Sequence, residues 1–187
     1  MTTVKSQINL YQIWEGFHWL FIVQIQGLII CLQRFEIELN AGNLSQAEVE
    51  LGTAADLMLA SGAAMELAGS FTRKEYENQI LPTMKAPQVA SENFSGLMSW
   101  DHASLIKLWK KLRPLFETLP AELDTVYGKF VNSYMTLSGA HKAVCTRFGG
   151  DDKGSLRCNK CTAVSKLENF EKGRLKMLDP NNQVTHS

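Results

Sequence analysis

A histidine and a cysteine lie four positions apart in the stretch HKAVCTRFGG, residues 141–150. Residues four apart in a helix share one face, with Cβ atoms about 5–6 Å apart, so one ligand could contact both His141 and Cys145. A neutral imidazole is a good ligand for haem iron, and a thiol one turn away could reach the porphyrin edge and its vinyl groups. The pair also suits zinc, or it is a core cysteine beside a histidine satisfied by the protein. Spacing alone leaves these interpretations open.

A second pair of cysteines, Cys158 and Cys161, follows closely. The pair lacks the next-door histidine of the usual c-type haem attachment sequence, and there is no other CxxC in the chain. A disulfide, half of a zinc site shared with His141 or Cys145, and an incidental pair all remain compatible with it.

The elements that position these residues are predicted to be helices, because helix start and stop signals recur and strand signals are almost absent. With 187 residues, 45% of them hydrophobic, the chain can bury one substantial core. We therefore expect an all-α fold in which residues 1–187 form a single-domain helical bundle, with a flexible tail from about residue 179.

The overall charge argues against some partners. Nineteen basic and nineteen acidic residues give zero net charge, which provides no general attraction to nucleic acid or to an anionic membrane. The N-terminal stretch lacks the basic start, apolar run and cleavage site of a secretory signal, so we expect a cytoplasmic location. A small-molecule or protein partner is favoured.

The first predicted helix covers about residues 10–39, and its apolar stretch at 17–32 is interrupted by polar residues. The stretch is shorter than the run of about 20 apolar residues that crosses a membrane, which favours a buried helix. An exposed apolar face on this helix would allow a homodimer. Ser45 and Glu48 form a capping-box pattern for a second helix, which is rich in small residues and ends at Gly69.

A long polar loop with two prolines separates these helices from the rest of the chain. Pro114 is expected to end one later helix, and Pro120 to open the next. The later helices are predicted at residues 72–81, 100–112, 121–148 and 162–178.

Two short motifs occur in the same order as in a known family of haem enzymes. Leu20-Phe21-Ile22-Val23 is followed three positions later by Gln26, and His141 is followed by Arg147 six residues on and then by a glycine. Together they resemble the L-F-I-V-x-x-Q of the distal helix and the haem-binding H-x5-R-x-x-G of the tryptophan 2,3-dioxygenase superfamily. The resemblance implies haem (iron) held between helices, with His141 as proximal ligand and Arg147 close to the cofactor.

A subgroup gives a closer match. His102, His141 and Cys145 fit the H-x(n)-H-x3-C pattern of the 3-methyltyrosine hydroxylase subgroup. This resemblance implies a thioether between Cys145 and haem. It also implies that His102 is a second iron ligand whose release opens the site, after which it assists proton transfer as a catalytic residue.

The chain departs from tryptophan dioxygenase at two points. Ile25 stands where that enzyme has its distal histidine, and only Arg73 lies near the position of its substrate-carboxylate arginine. Ring opening of tryptophan is therefore not the preferred reaction. The resemblance places the following residues around an aromatic substrate: Phe21, Ile25 and Phe94 as walls, and Ser95, Gly96, Gly154 and Ser155 as polar or close contacts.

The sequence thus predicts a haem-dependent oxygenase or peroxygenase that hydroxylates an aromatic small molecule, a tyrosine or indole derivative, with oxygen or hydrogen peroxide as oxidant. One alternative is a haem dioxygenase that cleaves an indole ring. The other is a non-catalytic helical zinc- or haem-binding module.

Overall fold

The computed structural model describes residues 9–84, 99–149, 154–155 and 158–184, and it gives only the backbone at 149, 154–155, 158–164 and 166. In chain order the helices are α1 (Leu10–Asn40), α2 (Leu44–Ala68), α3 (Arg73–Glu75), α4 (Trp100–Glu117), α5 (Asp124–Gly149) and α6 (Ala163–Leu178). A π-helical turn (Tyr76–Ile80) and a 3-10 turn (Leu81–Met84) extend α3, and a 3-10 turn (Ala121–Leu123) precedes α5.

The described part of the chain confirms the all-α prediction, with one small addition. Between α5 and α6, β1 (Gly154–Ser155) pairs antiparallel with β2 (Cys158–Thr162), and Ser155 lies opposite Cys158. Strand signals are almost absent from the sequence, and this stretch is rich in glycine and serine. Such residues have low strand propensity, so composition could not reveal a hairpin that depends on backbone pairing.

Helix α1 begins and ends as its sequence predicts. The Asn9 side chain accepts hydrogen bonds from the backbone N–H groups of Tyr11 (3.1 Å) and Gln12 (3.4 Å), which satisfies two of the free donors at the helix start. Beyond Asn40 the chain turns at Gly42, whose φ of 76° lies in the left-handed region that favours glycine.

The capping box predicted at Ser45 and Glu48 is wrong. Helix α2 begins earlier, after Asn43, whose side chain makes no capping hydrogen bond. A capping box forms instead at the start of α3. There the Thr72 hydroxyl accepts from the Glu75 N–H (3.2 Å), and the Glu75 carboxylate accepts from the Thr72 N–H (2.8 Å). Both sites carry the same sequence pattern, but only the second has the extended backbone that a cap requires.

Pro114 does not end α4, which continues for a further turn to Glu117. A proline in a helix removes one backbone hydrogen bond and must be compensated. Two contacts stabilise this last turn: Phe116 is buried in the core, and Arg113 forms an ion pair with Glu117 at 3.1 Å. Tertiary burial therefore overrides the local signal.

Four helices, α1, α2, α4 and α5, enclose the main core, and α2 packs against both α1 and α5. The small residues of α2 permit the close approach that its composition predicts: a Cβ added at Gly62 would lie 3.5 Å from the Leu137 Cα of α5. The largest fully buried side chains include Phe35, Leu51, Met58, Phe116, Tyr127 and Phe130.

The chain after α6 is attached to this core. The Tyr127 hydroxyl donates to the Leu178 carbonyl at 2.7 Å, and the buried Asp179 carboxylate accepts from the backbone N–H groups of Gln183 (2.9 Å) and Val184 (3.2 Å). The flexible tail predicted from about residue 179 therefore does not begin there, because residues 179–184 are held by these hydrogen bonds; residues 185–187 lie outside the described residues. The single-domain expectation stays a prediction.

The Tyr127→Phe substitution tests this attachment. Burial, together with the nearby Asp179 carboxylate, raises the pKa of Tyr127 above its ordinary value, so the hydroxyl keeps its proton and donates. Removing it leaves the buried Leu178 carbonyl without this donor, which costs about 1–3 kcal/mol. Thermal unfolding should show a Tm lower by roughly 3 °C per kcal/mol lost. Tyr11→Phe, at an exposed tyrosine of α1, is the matched control and should leave Tm unchanged.

Helix α1 is long and apolar enough to cross a membrane, with a mean hydropathy of 1.5 in its most apolar window, of which 33% is buried in the bundle. Length and composition are weak evidence for a span, because the core helix of a soluble protein also meets them. Leu28, Leu32 and Phe35 of this helix are buried in the main core. Its opposite face exposes Trp19 and Ile37 among other apolar side chains, so the homodimer stays a prediction.

Candidate active site

One face of α5 carries the residues singled out by sequence. Tyr134, Ser138, His141, Cys145 and Phe148 follow each other at spacings of three or four, which places them on a single stripe. The stripe contacts α4 near its start and the α3 extension near its end, while α6 packs against both α4 and α5. A side chain on this stripe therefore faces several elements at once.

His141 is a neutral imidazole. Burial lowers its pKa to about 4, and the nearby Arg174 guanidinium of α6 contributes to the same shift. Among the described residues, none makes a hydrogen bond to the His141 ring. A neutral imidazole with an available lone pair is the form in which histidine binds a metal ion.

Cys145 is a neutral thiol one turn further along α5. Burial raises its pKa to about 11, and it is a free cysteine, as is the buried Cys31 of α1. The thiol lies close enough to Tyr76 to contribute to the raised pKa of that phenol, for which burial is the larger cause. This environment disfavours a thiolate, which is the form that binds zinc.

His102 lies in the first turn of α4. The Ser99 hydroxyl accepts from the backbone N–H of His102 at 3.2 Å, which confirms the predicted helix start. The imidazole is nine-tenths buried, and its Nε2 lies 3.0 Å from an Nη atom of Arg174. Arg174 therefore contacts His102 and helps to lower the pKa of His141, so the two histidines of the predicted motif lie in one cluster around it.

Arg174 itself was not found by sequence reasoning. It lies on the closing helix in no recognisable motif, and a lone arginine on an amphipathic helix is normally a solvated side chain. In the structure it is half-buried, with its guanidinium 5.5 Å from the centre of the Phe170 ring. None of the described carboxylates forms an ion pair with it. Only the packing of α6 reveals its position.

Two buried donors near this cluster have no hydrogen-bond partner among the described residues: the Trp109 indole N–H and the Tyr134 hydroxyl. The two rings meet edge to face at 5.5 Å. Burial raises the pKa of Tyr134, and although Ser138 and Arg174 lie near its hydroxyl, neither completes a hydrogen bond of normal geometry. Unsatisfied buried donors are rare in folded proteins, and here they would suit a ligand that offers acceptor atoms.

Aromatic rings surround the Cys145 end of the stripe. Tyr76 stacks on Phe148 at 4.3 Å with nearly parallel rings, and Trp14 of α1 meets the edge of Tyr76 at 5.8 Å. Trp14 also contacts Phe17 and His18. This aromatic cluster (Trp14, Phe17, His18, Tyr76 and Phe148) connects the start of α1 with the end of α5.

Of the two α1 residues proposed as walls of the substrate pocket, one lies next to this cluster and the other lies in the main core. Phe21 is half-buried, and its ring lies 6.4 Å from that of Phe17. Ile25 is buried in the main core at 5% exposure, so most of its surface is used in packing. Gln26, the last residue of the L-F-I-V-x-x-Q motif, donates to Asp101 of α4 at 3.4 Å and so connects α1 to the helix that carries His102.

Arg147 has a structural contact. Its exposed guanidinium donates to the Gly69 carbonyl at the end of α2, which holds α5 against that helix. The cofactor-binding role that the resemblance implies for Arg147 stays a prediction.

Several predicted site residues cannot be placed. Phe94, Ser95 and Gly96 lie outside the described residues. For Gly154 and Ser155, and for the Cys158–Thr162 strand, the structure gives only the backbone. Within the described part of the chain, no group of three or more His, Cys, Asp or Glu side chains could hold a metal ion. A zinc site that uses Cys158 and Cys161 therefore stays an untested alternative.

Comparisons with known proteins agree with the resemblance seen in the motifs. The sequence model described as "SfmD 3-methyl-L-tyrosine peroxygenase" matches residues 5–126. A 3-methyl-L-tyrosine peroxygenase of Streptomyces lavendulae is 32% identical over 168 residues, which cover 88% of this chain and 46% of that protein. The chain thus spans about half the length of this relative. No solved structure matches it significantly.

Proposed function

Because the chain belongs to the SfmD 3-methyl-L-tyrosine peroxygenase family, we propose that it is a haem-dependent peroxygenase that hydroxylates a tyrosine derivative with hydrogen peroxide. The observation that carries the proposal is the neutral, half-buried His141, which has no hydrogen-bond partner among the described residues and lies in one cluster with His102. The named activity of the relative, a 3-methyl-L-tyrosine peroxygenase, supports the choice of substrate class and oxidant.

The donor set fits haem. His141 would be the proximal ligand, since its lone pair is available at neutral pH. Cys145, kept as a thiol, would attach the porphyrin through a thioether in which the S–H adds across a vinyl group, and it is too weakly acidic to be a good thiolate ligand. The unsatisfied Trp109 and Tyr134 donors would suit acceptor atoms such as carboxylates on the cofactor or the substrate. Bound haem would supply the iron that activates peroxide.

The surrounding side chains would bind and orient the aromatic substrate. The stacked rings of Tyr76 and Phe148, with Trp14 at their edge, provide an apolar, aromatic surface beside Cys145. Aromatic pairs favour such offset and edge contacts with a further ring, so a phenol could pack here with little exposure to water. His102 is the candidate for moving a proton, because an imidazole ring can both accept and donate one and this ring lies in the same cluster as His141.

A spectrum and a product mass test the proposal. The purified full chain should show a Soret band that remains with the protein after acid-acetone extraction. With 3-methyl-L-tyrosine and hydrogen peroxide, mass spectrometry should detect a product heavier by one oxygen atom. A product with two added oxygen atoms would support ring cleavage instead. A colourless protein that contains stoichiometric zinc would refute the haem proposal.

Replacing Cys145 with alanine should make the haem extractable while preserving its binding, because His141 would still ligate the iron. The expected result is complete loss of protein-bound colour after acid-acetone treatment, with a Soret band before it. Thr146→Ala is the matched control, since Thr146 is exposed and its hydroxyl donates only to the Lys142 carbonyl at 2.9 Å. If haem in Cys145→Ala still resists extraction, the thioether is not made by this residue.

A further inference from the structure

We propose that Arg174, Tyr134 and Trp109 form a binding site for a carboxylate group. The site joins two buried neutral donors, on α4 and α5, to a cation on α6. Its chemistry follows from the arrangement of these side chains, whereas the identity of the carboxylate rests on the proposed haem function. Arg174 and Tyr134 lie beyond residues 5–126, the part of the chain that the family model matches.

The two neutral donors are the Trp109 indole N–H and the Tyr134 hydroxyl. Each side chain is only 3% exposed, and neither donor has a hydrogen-bond partner among the described residues. An indole nitrogen can only donate, and burial raises the pKa of Tyr134, so the phenol keeps its proton and can donate too. Burying a donor without a partner costs free energy, so both groups are poised to donate to a ligand. Since the two rings are in contact, both donors belong to one place between α4 and α5.

Arg174 adds a positive charge beside these donors. Its half-buried guanidinium lies near the Tyr134 hydroxyl, and its charge acts against the effect of burial on the pKa of that phenol. No acidic side chain in the described ranges forms an ion pair with Arg174, and Glu171 of the same helix is bound to Lys142 at 3.0 Å. A guanidinium has five N–H donors, so the single contact with His102 leaves others for a ligand. A partly buried cation of this kind favours an anionic partner.

The donors determine the class of ligand. The indole and the guanidinium can only donate, and the phenol is available as a donor, so the ligand must offer several acceptor atoms. A neutral acceptor would leave the charge of Arg174 uncompensated. A carboxylate compensates that charge, accepts two parallel hydrogen bonds from a guanidinium, and has lone pairs left for the neutral donors. Haem and a tyrosine derivative both carry carboxylates, so the proposed function supplies two sources of this group.

The order of residues along α5 favours the haem propionates. A helix rises about 1.5 Å per residue, so Cys145 lies about 6 Å beyond His141 along the axis and Tyr134 about 10 Å before it. A thioether at Cys145 would direct the vinyl edge of the porphyrin towards the end of α5. Because the propionates occupy the edge opposite the vinyl groups, they would extend towards Tyr134. The carboxylate of the amino-acid substrate is the second source, and the experiments separate the two.

The first experiment titrates the haem-free full chain with haem in a Cys145→Ala background, where binding is reversible. Adding Arg174→Met should raise the dissociation constant of haem about tenfold to a hundredfold, because hydrogen bonds to a charged group are lost. Haem dimethyl ester, whose carboxylates are blocked, should bind with nearly equal affinity whether or not Arg174 is present. Lys176→Met removes a charge from an exposed position of the same helix and is the matched control, which should change neither affinity.

The second experiment titrates the same proteins with 3-methyl-L-tyrosine and with its decarboxylated amine. If the site binds the carboxylate of the substrate, Arg174→Met should weaken binding of the amino acid but not of the amine, and haem and its dimethyl ester should respond alike. If the site binds the propionates, the amino acid and the amine should respond alike. The proposal is overturned if Arg174→Met leaves the affinities for both haem and the amino acid unchanged, or if it weakens the blocked ligands as much as the free carboxylates.

A third measurement needs no ligand. Tyr134→Phe removes a buried hydroxyl without a partner among the described residues and keeps the ring, so the haem-free chain should melt at a higher temperature. The same variant should bind the carboxylate ligand more weakly, and these opposite signs are not expected of a residue that only supports the fold. Tyr11→Phe, at an exposed position, should change neither property. A lower melting temperature in Tyr134→Phe would overturn the proposal, because the hydroxyl would then have a partner within the protein.

The failure of the proposed function would be distinguishable from the failure of this site. A chain that never binds haem would refute the haem function, while the amino-acid titration and the melting shift would still test the carboxylate site. A chain that binds haem and its dimethyl ester with the same relative affinity in every variant, and the amino acid likewise, would retain the haem function and refute the site.

Discussion

Replacing His141 with alanine is expected to remove the proposed proximal ligand of the iron while leaving the helical fold intact. The imidazole makes no hydrogen bond to any described residue, so its removal should cost the fold little. Changes in residues that merely orient a metal ligand weaken binding by about 10- to 100-fold, and loss of the ligand itself should exceed that range. The Soret band should shift and weaken, and circular dichroism should show unchanged helix content.

Exogenous imidazole provides a specific check on this prediction. Free imidazole should bind in the space left by His141→Ala and restore a spectrum close to that of wild type, which a variant with general damage would not do. Thr136→Ala, at an exposed position of the same helix, is the matched control and should bind haem normally. A His141→Ala protein with the wild-type spectrum would show that another residue is the proximal ligand.

The α5 stripe could be predicted from sequence because it depends on helical spacing alone. His141 and Cys145 share a face wherever the helix lies, and the structure gives them the neutral states that a haem ligand and a thioether partner would need. The bounds of α1 were predictable for a similar reason, since they follow from local signals such as Gly42 with its positive φ.

The remainder of the cluster depends on contacts between distant parts of the chain. Arg174 and His102 are 72 positions apart, and their contact exists only because α6 packs against α4. In the sequence, Trp109 and Tyr134 cannot be distinguished from ordinary core residues. Only their buried, unsatisfied donors indicate that they could contact a ligand. Local spacing carries no information about such contacts, which is why a role for His102 could be predicted from the sequence but its partner Arg174 could not.

A methyl group at Gly69 should destabilise the end of α2 and disturb the site. A Cβ added there would lie 2.5 Å from Val144 Cγ2, well below any van der Waals contact, and the β-branched valine cannot move aside easily. Overpacking of this kind costs about 1–3 kcal/mol. We expect Gly69→Ala to lower the free energy of unfolding by that amount in urea denaturation. Gly139→Ala, with no atom within 4 Å of the added Cβ, should be neutral or slightly stabilising.

The same clash connects packing to the proposed haem site, because Val144 immediately precedes Cys145 and Arg147 donates to the Gly69 carbonyl. Displacing α5 at this point would move the Cys145 thiol relative to the elements packed against it, so Gly69→Ala should also leave a larger fraction of haem extractable. The double variant Gly69→Ala/Val144→Ala removes the clashing methyl groups and should recover both stability and attachment. If stability recovers but attachment does not, Val144 itself positions Cys145. If neither recovers, the cost of Gly69→Ala arises from the helix end and not from its contact with α5.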